Sequence, residues 1–440
     1  MPELRPEFKM QRIISSEFFN FEYLRVLGTA PFQGSEVGEC LEAAHKIRSN
    51  DPESWFRAWS EAAATSEEIA ETSLRTGDRE AARWAFLRSS NYRRASEFLL
   101  HHNPNDSRLV TAISQSISNF RKACQLFDSP VYFLEIPYEN GAKLPAYLFM
   151  PTAASTLPGK IPIVISTGGF DSIQEELYYF TASGARTRGY ATLSFEGPGQ
   201  GIVVRRDKLH LRPDWEVVVG KVLDQLEVVV KEHPERNLDM SRIAIAGASM
   251  GGYFALRGAL DPRISACISI DGFYDLSVLT RARVSGPLMT AIEEQYITDG
   301  IFNALLSIVL ALDFQKKWEM GHAILATGIT SPAAAMRTWQ NYSMALPDGK
   351  TRLSQLKCPV LVTGTRDTMY VPWEAGPQRI YDELIRAHGS EKKHELWIPT
   401  GPGQGSLQAK VAALAALHTK SFGWLDDVFG IKREAITVHE

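Results

Sequence analysis

Apolar residues recur at helical spacing from the N-terminus to about residue 125, and then give way to short continuous apolar runs. Trp55, Trp59 and Ala62 fall on one helical face, and a second helix is expected from Asp78 through Trp84, Phe86, Tyr92, Ala95, Phe98 and Leu99. Asn103-Pro104-Asn105-Asp106 breaks the pattern, and a further helix is expected over 108–126. Near Pro130 the period changes. Val131–Ile136 and Leu144–Phe149 flank the turn Glu139-Asn140-Gly141 and predict an antiparallel pair.

From there strand, loop and helix alternate. Strands are expected at Ile161–Ser166, Ala191–Phe195, Arg242–Ala246, Ala266–Ile270, Pro359–Thr363 and Glu395–Ile398, with helices at Trp215–Lys231 and Gly252–Leu260. Near-continuous apolar strands alternating with helices indicate a mostly parallel sheet covered on both faces. The stretch from Asp275 to about Asp348 interrupts this rhythm with helical patterning. Placed above the carboxyl ends of the strands, it would form a lid with the N-terminal helices. The expected division is 1–127 (helical, part of the cap), 128–274 (first part of the core), 275–350 (helical lid) and 351–440 (second part of the core).

Composition narrows this little. A chain of 440 residues with 47 Lys plus Arg against 51 Asp plus Glu has no basic surface for nucleic acid. The short basic cluster Val204-Arg205-Arg206 reads as a solvated loop. Cys40, Cys124, Cys267 and Cys358 are widely spaced and read as structural thiols. The first residues carry no secretory pattern, so a cytoplasmic protein is expected and the Asn341-Tyr342-Ser343 sequon carries little weight. The most apolar run, Ile301–Leu312, is too short to span a bilayer, which needs about 20 residues. It reads as a buried helix, with a pocket lid or dimer surface as alternatives.

Chemistry is concentrated in a few turns. Gly247-Ala248-Ser249-Met250-Gly251 follows the apolar strand Ile243–Ala246 and precedes a helix. Glycines on both sides permit a sharp strand-to-helix turn that exposes the hydroxyl, so Ser249 reads as the serine of a nucleophile elbow. A helix-capping serine is the plainer alternative. The fold class expected is therefore α/β, an α/β-hydrolase fold with a mostly parallel central sheet and a helical cap. Strand Ile163–Ser166 enters Thr167-Gly168-Gly169-Phe170, whose backbone N–H groups, with that of Met250, would form an oxyanion site. Asp171, Glu175 and Glu176 follow. One carboxylate facing the pocket would position a substrate hydroxyl or move a proton, or else these residues cap a helix N-terminus.

An acid is expected after a later strand, and Asp367 lies just past Pro359–Thr363. A histidine should then follow the last strand, but that loop reads Thr400-Gly401-Pro402-Gly403-Gln404-Gly405-Ser406. Gln404 cannot take a proton from serine near neutral pH. His394 begins the strand, at the wrong end, and His418 lies too far along the next helix. His322, in the lid, is the remaining candidate base, with an ordinary lid histidine as the alternative. The glycines of Phe195-Glu196-Gly197-Pro198-Gly199-Gln200-Gly201 lack the spacing of a dinucleotide loop, and no cluster has metal-ligand spacing, so neither cofactor nor metal is expected.

The segments Thr167-Gly168-Gly169-Phe170-Asp171-Ser172 with Glu175-Glu176, Glu196-Gly197-Pro198-Gly199-Gln200-Gly201, Gly247–Gly252 and Tyr92–Phe98 resemble one family of α/β hydrolases. It contains the fungal heptaketide-shortening hydrolase of pigment synthesis and the bacterial 2,6-dihydropseudooxynicotine hydrolase. The resemblance spans roughly residues 50–425. It implies a homodimer, a helical cap, no cofactor, and hydrolysis of carbon–carbon bonds beside ketones. It also implies Ser249 as nucleophile, Asp367 as acid and Glu175 or Glu176 as pocket carboxylate, and its histidine falls where this sequence has Gln404.

Three readings follow. The first is a hydrolase acting on a carbonyl, C–C or ester, bond of a polyketide-derived small molecule. The second is a cofactor-free cyclase or isomerase of aldol or Knoevenagel type on a polyketide or polyketide–amino acid hybrid. The third is a catalytically inactive binding protein. No nucleic-acid partner and no membrane span are expected under any of them.

Overall fold

The computed structural model describes residues 12–283, 286–366, 368, 370, 372–390 and 392–437. Eight strands form one sheet: β1 (Val131–Pro137), β2 (Lys143–Phe149), β3 (Ile161–Thr167), β4 (Ala191–Phe195), β5 (Leu238–Ala248), β6 (Ala266–Ile270), β7 (Val360–Thr363) and β8 (Glu395–Trp397). Their order is β1-β2-β4-β3-β5-β6-β7-β8. The pairs β1/β2 and β2/β4 are antiparallel and the rest parallel. This is the α/β-hydrolase fold expected from the sequence.

Successive strand residues point to opposite faces, so apolar runs feed two separate cores. Ile163, Ile165, Ile243, Ile245, Val360 and Val362 pack with Trp215 and Phe254 on one face. Val164, Ala244, Ala246, Ile268 and Leu361 pack on the other, with Phe86 and Phe120 of the N-terminal helices and Leu417 of the last helix. At about 1.5–3 kcal/mol for each fully buried large aliphatic side chain, these faces anchor the sheet. Cys40, Cys124, Cys267 and Cys358 are free and buried, as expected of structural thiols.

The N-terminal helices carry strong local signals. Asp51 accepts from the backbone N–H groups of Glu53 and Ser54, Pro52 opens the helix Pro52–Thr76, and Gly77 closes it at φ 82°. A third core joins three regions. It contains Phe19, Tyr23, Trp55, Trp59 and Phe98 from the N-terminal helices, Trp318 from the helix Phe314–Thr327, and Leu407 and Val411 from the loop after β8.

Between β6 and β7 lie the helices Leu276–Arg283, Gly286–Glu293, Asp299–Leu312, Phe314–Thr327 and Pro332–Trp339. Trp318 Nε1 donates to Phe98 O at 2.6 Å and so ties this helical segment to the N-terminal layer. The apolar run of helix Asp299–Leu312 is only half covered. Phe302 and Leu306 are buried, whereas Ile301, Ile308 and Leu312 are exposed. No helix among the described residues is long and apolar enough to cross a membrane.

Candidate active site

β5 runs straight into Ser249, which adopts φ 57°, ψ −121° before the helix Met250–Gly258 begins. This left-handed conformation is costly for a residue with a Cβ and marks a site the fold over-determines. One hydrogen bond holds it, and one close approach leaves room only for glycine beside it. Ser249 N donates to Ile270 O at the end of β6 (2.8 Å), and a Cβ on Gly247 would overlap the backbone of Gly251. The elbow geometry read from the five-residue motif is therefore present.

The loop after β3 approaches this turn closely. A Cβ on Gly169 would come within 2.9 Å of Ala248 O, so only glycine fits there. Gln200 braces the loop from below, its side-chain amide donating to both Gly168 O and Gly169 O at 2.9 Å. This gives the Glu196–Gly201 segment a structural task that its sequence did not disclose. Gly201 belongs to the same device: it takes φ 41°, and a Cβ there would overlap the Glu196 carboxylate. Glu196 in turn accepts from the backbone N–H groups of Gln174 (3.2 Å) and Ile202 (2.7 Å).

From the other side His322 holds the same loop. Its Nε2 lies 2.8 Å from Phe170 O and its Nδ1 lies 2.8 Å from His101 Nδ1. A carbonyl can only accept, so Nε2 carries the proton. Burial pushes the imidazole down to about 3, with the neighbouring His101 adding to the shift. His322 does not line the cavity beside Ser249. It is committed to the loop and is not placed as a base.

Ser249 opens into a cavity of about 390 Å³ walled in part by the helices between β6 and β7. Its walls are mostly apolar, including Phe21, Phe170, Phe273, Leu306, Met336 and Trp339. One end is charged: Glu22 and Arg25 from the helix Glu17–Leu27, and Asp171 from the loop after β3, all line it. Arg25 donates to Glu176 through Nε (2.6 Å) and Nη2 (2.5 Å), to Asp171 through Nη2 (3.1 Å), and to Glu22 through Nη1 (3.3 Å). Arg94 lies 3.3 Å from Glu176 as well. Burial would raise Glu176, but the two guanidiniums overcome it and hold this carboxyl below its ordinary range. Glu22 keeps the poorest share of Arg25, and burial pushes it up to about 8.

Of the three acidic residues expected after the glycine turn, only Asp171 faces the cavity. Glu176 is buried against Arg25 and Arg94. Glu175 is also buried, accepting from Tyr147 Oη at 2.7 Å, and burial, reinforced by Glu196, pushes it up to about 8. Glu22 and Arg25 stand in their place. No sequence signal singled them out, because a Glu and an Arg three apart on a helix read as solvated surface.

The loop after β8 is folded unlike its linear reading. Gln404 is exposed and lies outside the cavity lining, whereas Gln408 is buried and lines it. Three left-handed residues, Ala409, Lys410 and Ala412 (φ 56°, 59° and 62°), turn the chain back. Lys410 locks the turn from inside: its Nζ donates to Asp271 Oδ1 (2.7 Å) and Gly364 O (2.8 Å). Gln408 Oε1 accepts from Thr368 Oγ1 at 3.0 Å. Asp367 lies outside the described residues.

Of the ten histidines, His439 lies outside the described residues and none of the other nine lines the cavity. His394 accepts from Val360 N and His418 contacts the carbonyls of Tyr179 and Phe180, so both are structural. Among the described residues no group of His, Cys, Asp or Glu is placed to hold a metal ion. The arrangement brings the Ser249 hydroxyl, a mostly apolar cavity and a buried cluster of carboxyl groups and guanidiniums together.

Comparison with known proteins agrees with this fold. The model of the esterase FrsA-like family matches residues 47–282. A 20-hydroxy-prefusarin hydrolase of Gibberella moniliformis is 48% identical over 427 residues, covering 97% of this chain and 100% of that protein. An α/β hydrolase of Aspergillus fumigatus is 47% identical over 430 residues, covering 97% and 96% respectively. The crystal structure of 2,6-dihydroxy-pseudo-oxynicotine hydrolase, 22% identical, aligns with a TM-score of 0.67 over 91% of this chain and 95% of that one. That likeness is one of fold.

Proposed function

This chain belongs to the esterase FrsA-like family of α/β-hydrolase-fold enzymes, and on that footing we propose that it acts on a carbonyl group of a polyketide-derived intermediate of secondary metabolism; from the lining of its cavity we infer that it closes a ring there without hydrolysis. The observation that carries this reading is the lining around Ser249, where Gln408 stands and no described histidine does. An amide cannot accept the serine proton near neutral pH. The hydroxyl therefore serves as a hydrogen-bond donor, with the N–H groups of Phe170 and Met250, to a carbonyl oxygen gaining negative charge.

The reaction balances without a cofactor. An acidic carbon between two carbonyls loses a proton and bonds to an aldehyde or ketone carbon. The electron pair of that C=O moves to its oxygen, which takes up a proton; the attacking carbon then loses its second proton, a C=C bond forms, and the hydroxyl takes up a proton and leaves as water. A mostly apolar cavity suits this step, because low-dielectric walls strengthen hydrogen bonds to the carbonyl oxygen as it gains charge. Hydrolysis is the second reading, and the strained elbow at Ser249 favours it, since that conformation presents a hydroxyl for attack.

Ser249→Ala separates the two. Loss of one oxyanion donor lowers kcat by about 10²–10³-fold and leaves residual turnover. A fluorophosphonate, which reacts with activated serines, should leave the wild type unlabelled. Stoichiometric labelling of Ser249, with no turnover in Ser249→Ala, would establish the hydrolytic reading instead.

A further inference from the structure

We propose that Glu22, on the N-terminal helix, is the catalytic acid of this cavity, giving the proton of its carboxyl group to the substrate oxygen. The inference rests on the carbonyl chemistry proposed above and names the proton source that this chemistry requires.

Charge counting leads to Glu22. The buried cluster at the cavity end contains three carboxyl groups, Glu22, Asp171 and Glu176, but only two guanidiniums, Arg25 and Arg94. An uncompensated buried negative charge is costly, and a carboxyl group in that position takes up a proton. Glu176 receives short bonds from Arg25 and a contact from Arg94, so it stays ionised. The Asp171 side chain is 22% exposed and lies 3.1 Å from Arg25 Nη2. Glu22 is 2% exposed and has one long contact to Arg25, which makes it the site of the extra proton.

Position makes that proton useful. Glu22 lines the same cavity as Ser249, at its charged end, and most of the remaining wall is apolar. The other charged groups of the cavity are differently engaged. Lys316 pairs with Asp313 at 3.4 Å, and Glu319 accepts from the Gln315 side chain at 2.9 Å. When Glu22 protonates the substrate oxygen it becomes a carboxylate that Arg25 stabilises. The acidic carbon releases two protons, one before it attacks and one as the C=C bond forms, and these replace the two taken up by the departing oxygen, so the side chain is unchanged over a turnover.

The test uses a synthetic 1,3-dicarbonyl bearing a tethered aldehyde and a long alkyl chain, with the full-length protein. Glu22→Gln keeps the shape and removes the transferable proton. Its kcat is expected to fall by about 10²–10³-fold, within the range of general acid catalysis, with KM little changed. Wild-type kcat should decline as pH rises past about 8, as Glu22 loses its proton, and this limb should be absent in Glu22→Gln. Glu22→Asp, which retains an acid, should recover part of the activity together with a basic limb.

Infrared difference spectra of wild type minus Glu22→Gln give a reading without substrate. At neutral pH they should contain the band of a protonated carboxyl group, and this band should disappear on alkaline titration. Wild-type kcat in Glu22→Gln, or an unchanged basic limb, would overturn the proposal, and so would an absent protonated band. If Glu22→Gln does not fold, the limb in Glu22→Asp and the infrared difference spectrum of wild type minus Glu22→Asp still decide the matter. Fragmentation of the probe by wild type would instead contradict the ring-closing function and leave the pH limb as a separate result.

Discussion

Lys410 Nζ lies 2.7 Å from Asp271 Oδ1, with both side chains closed off from solvent. The pair joins the loop after β8 to the residue following β6, next to the strand end that receives Ser249 N. It holds three left-handed residues in place and so presents Gln408 to the cavity. Removing one partner of a buried ion pair strands the other charge, at a cost of about 3–5 kcal/mol. Lys410→Met should lower the denaturant midpoint by that equivalent, whereas Lys410→Met with Asp271→Asn should lose less. Equal losses in the single and double variants would show that the charge pairing is not what holds the loop.

The same loop predicts where an imidazole would matter. A histidine at the exposed position 404 should leave the reactivity of Ser249 unchanged, whereas Gln408→His places the ring in the cavity lining. Fluorophosphonate labelling of Ser249 should rise in Gln408→His and not in Gln404→His. The opposite order would mean that the loop is arranged differently around the serine.

His322 should behave as a positioning residue. Replacing it with leucine leaves the buried Phe170 carbonyl without its donor, a loss of about 1–3 kcal/mol in stability. Activity should fall through displacement of the loop after β3 that His322 holds. Because its imidazole is pushed down to about 3, wild-type kcat should show no limb near the ordinary histidine range. A limb near pH 6.5 that disappears in His322→Leu would assign it a proton-transfer role.

The elements that define the fold were legible because their signals are local. Ala191–Phe195 and Ala266–Ile270 are continuous apolar runs, and both appear with the expected bounds. Gly247–Gly251 encodes its turn in five residues. The charged end of the cavity was not legible. Glu22 and Arg25 lie in Phe18-Phe19-Asn20-Phe21-Glu22-Tyr23-Leu24-Arg25, and only tertiary packing buries them against Asp171 and Glu176. Gln408 was missed for a related reason: counting along the loop assumes an even path, and the left-handed backbone at Ala409, Lys410 and Ala412 reverses it.

Buried carboxyl groups also set the response of stability to pH. Glu22 and Glu175 are both pushed up from 4.5 to about 8 in the folded protein. Between these values the native state holds more protons than the unfolded chain, so stability falls as pH rises. The buried His322, pushed down from 6.5, contributes the opposite slope only below that value. From about pH 6.5 to 8 the melting temperature should therefore decline, and less steeply in Glu22→Gln or Glu175→Gln. A wild-type melting temperature that rises across this window would contradict the assignment of protons to these two side chains.

The most direct test of the ring-closing function is the mass of what wild-type enzyme makes from the aldehyde-bearing 1,3-dicarbonyl. The account predicts one cyclic product, lighter than the probe by one water. Two fragments whose masses together exceed the probe by one water would contradict it.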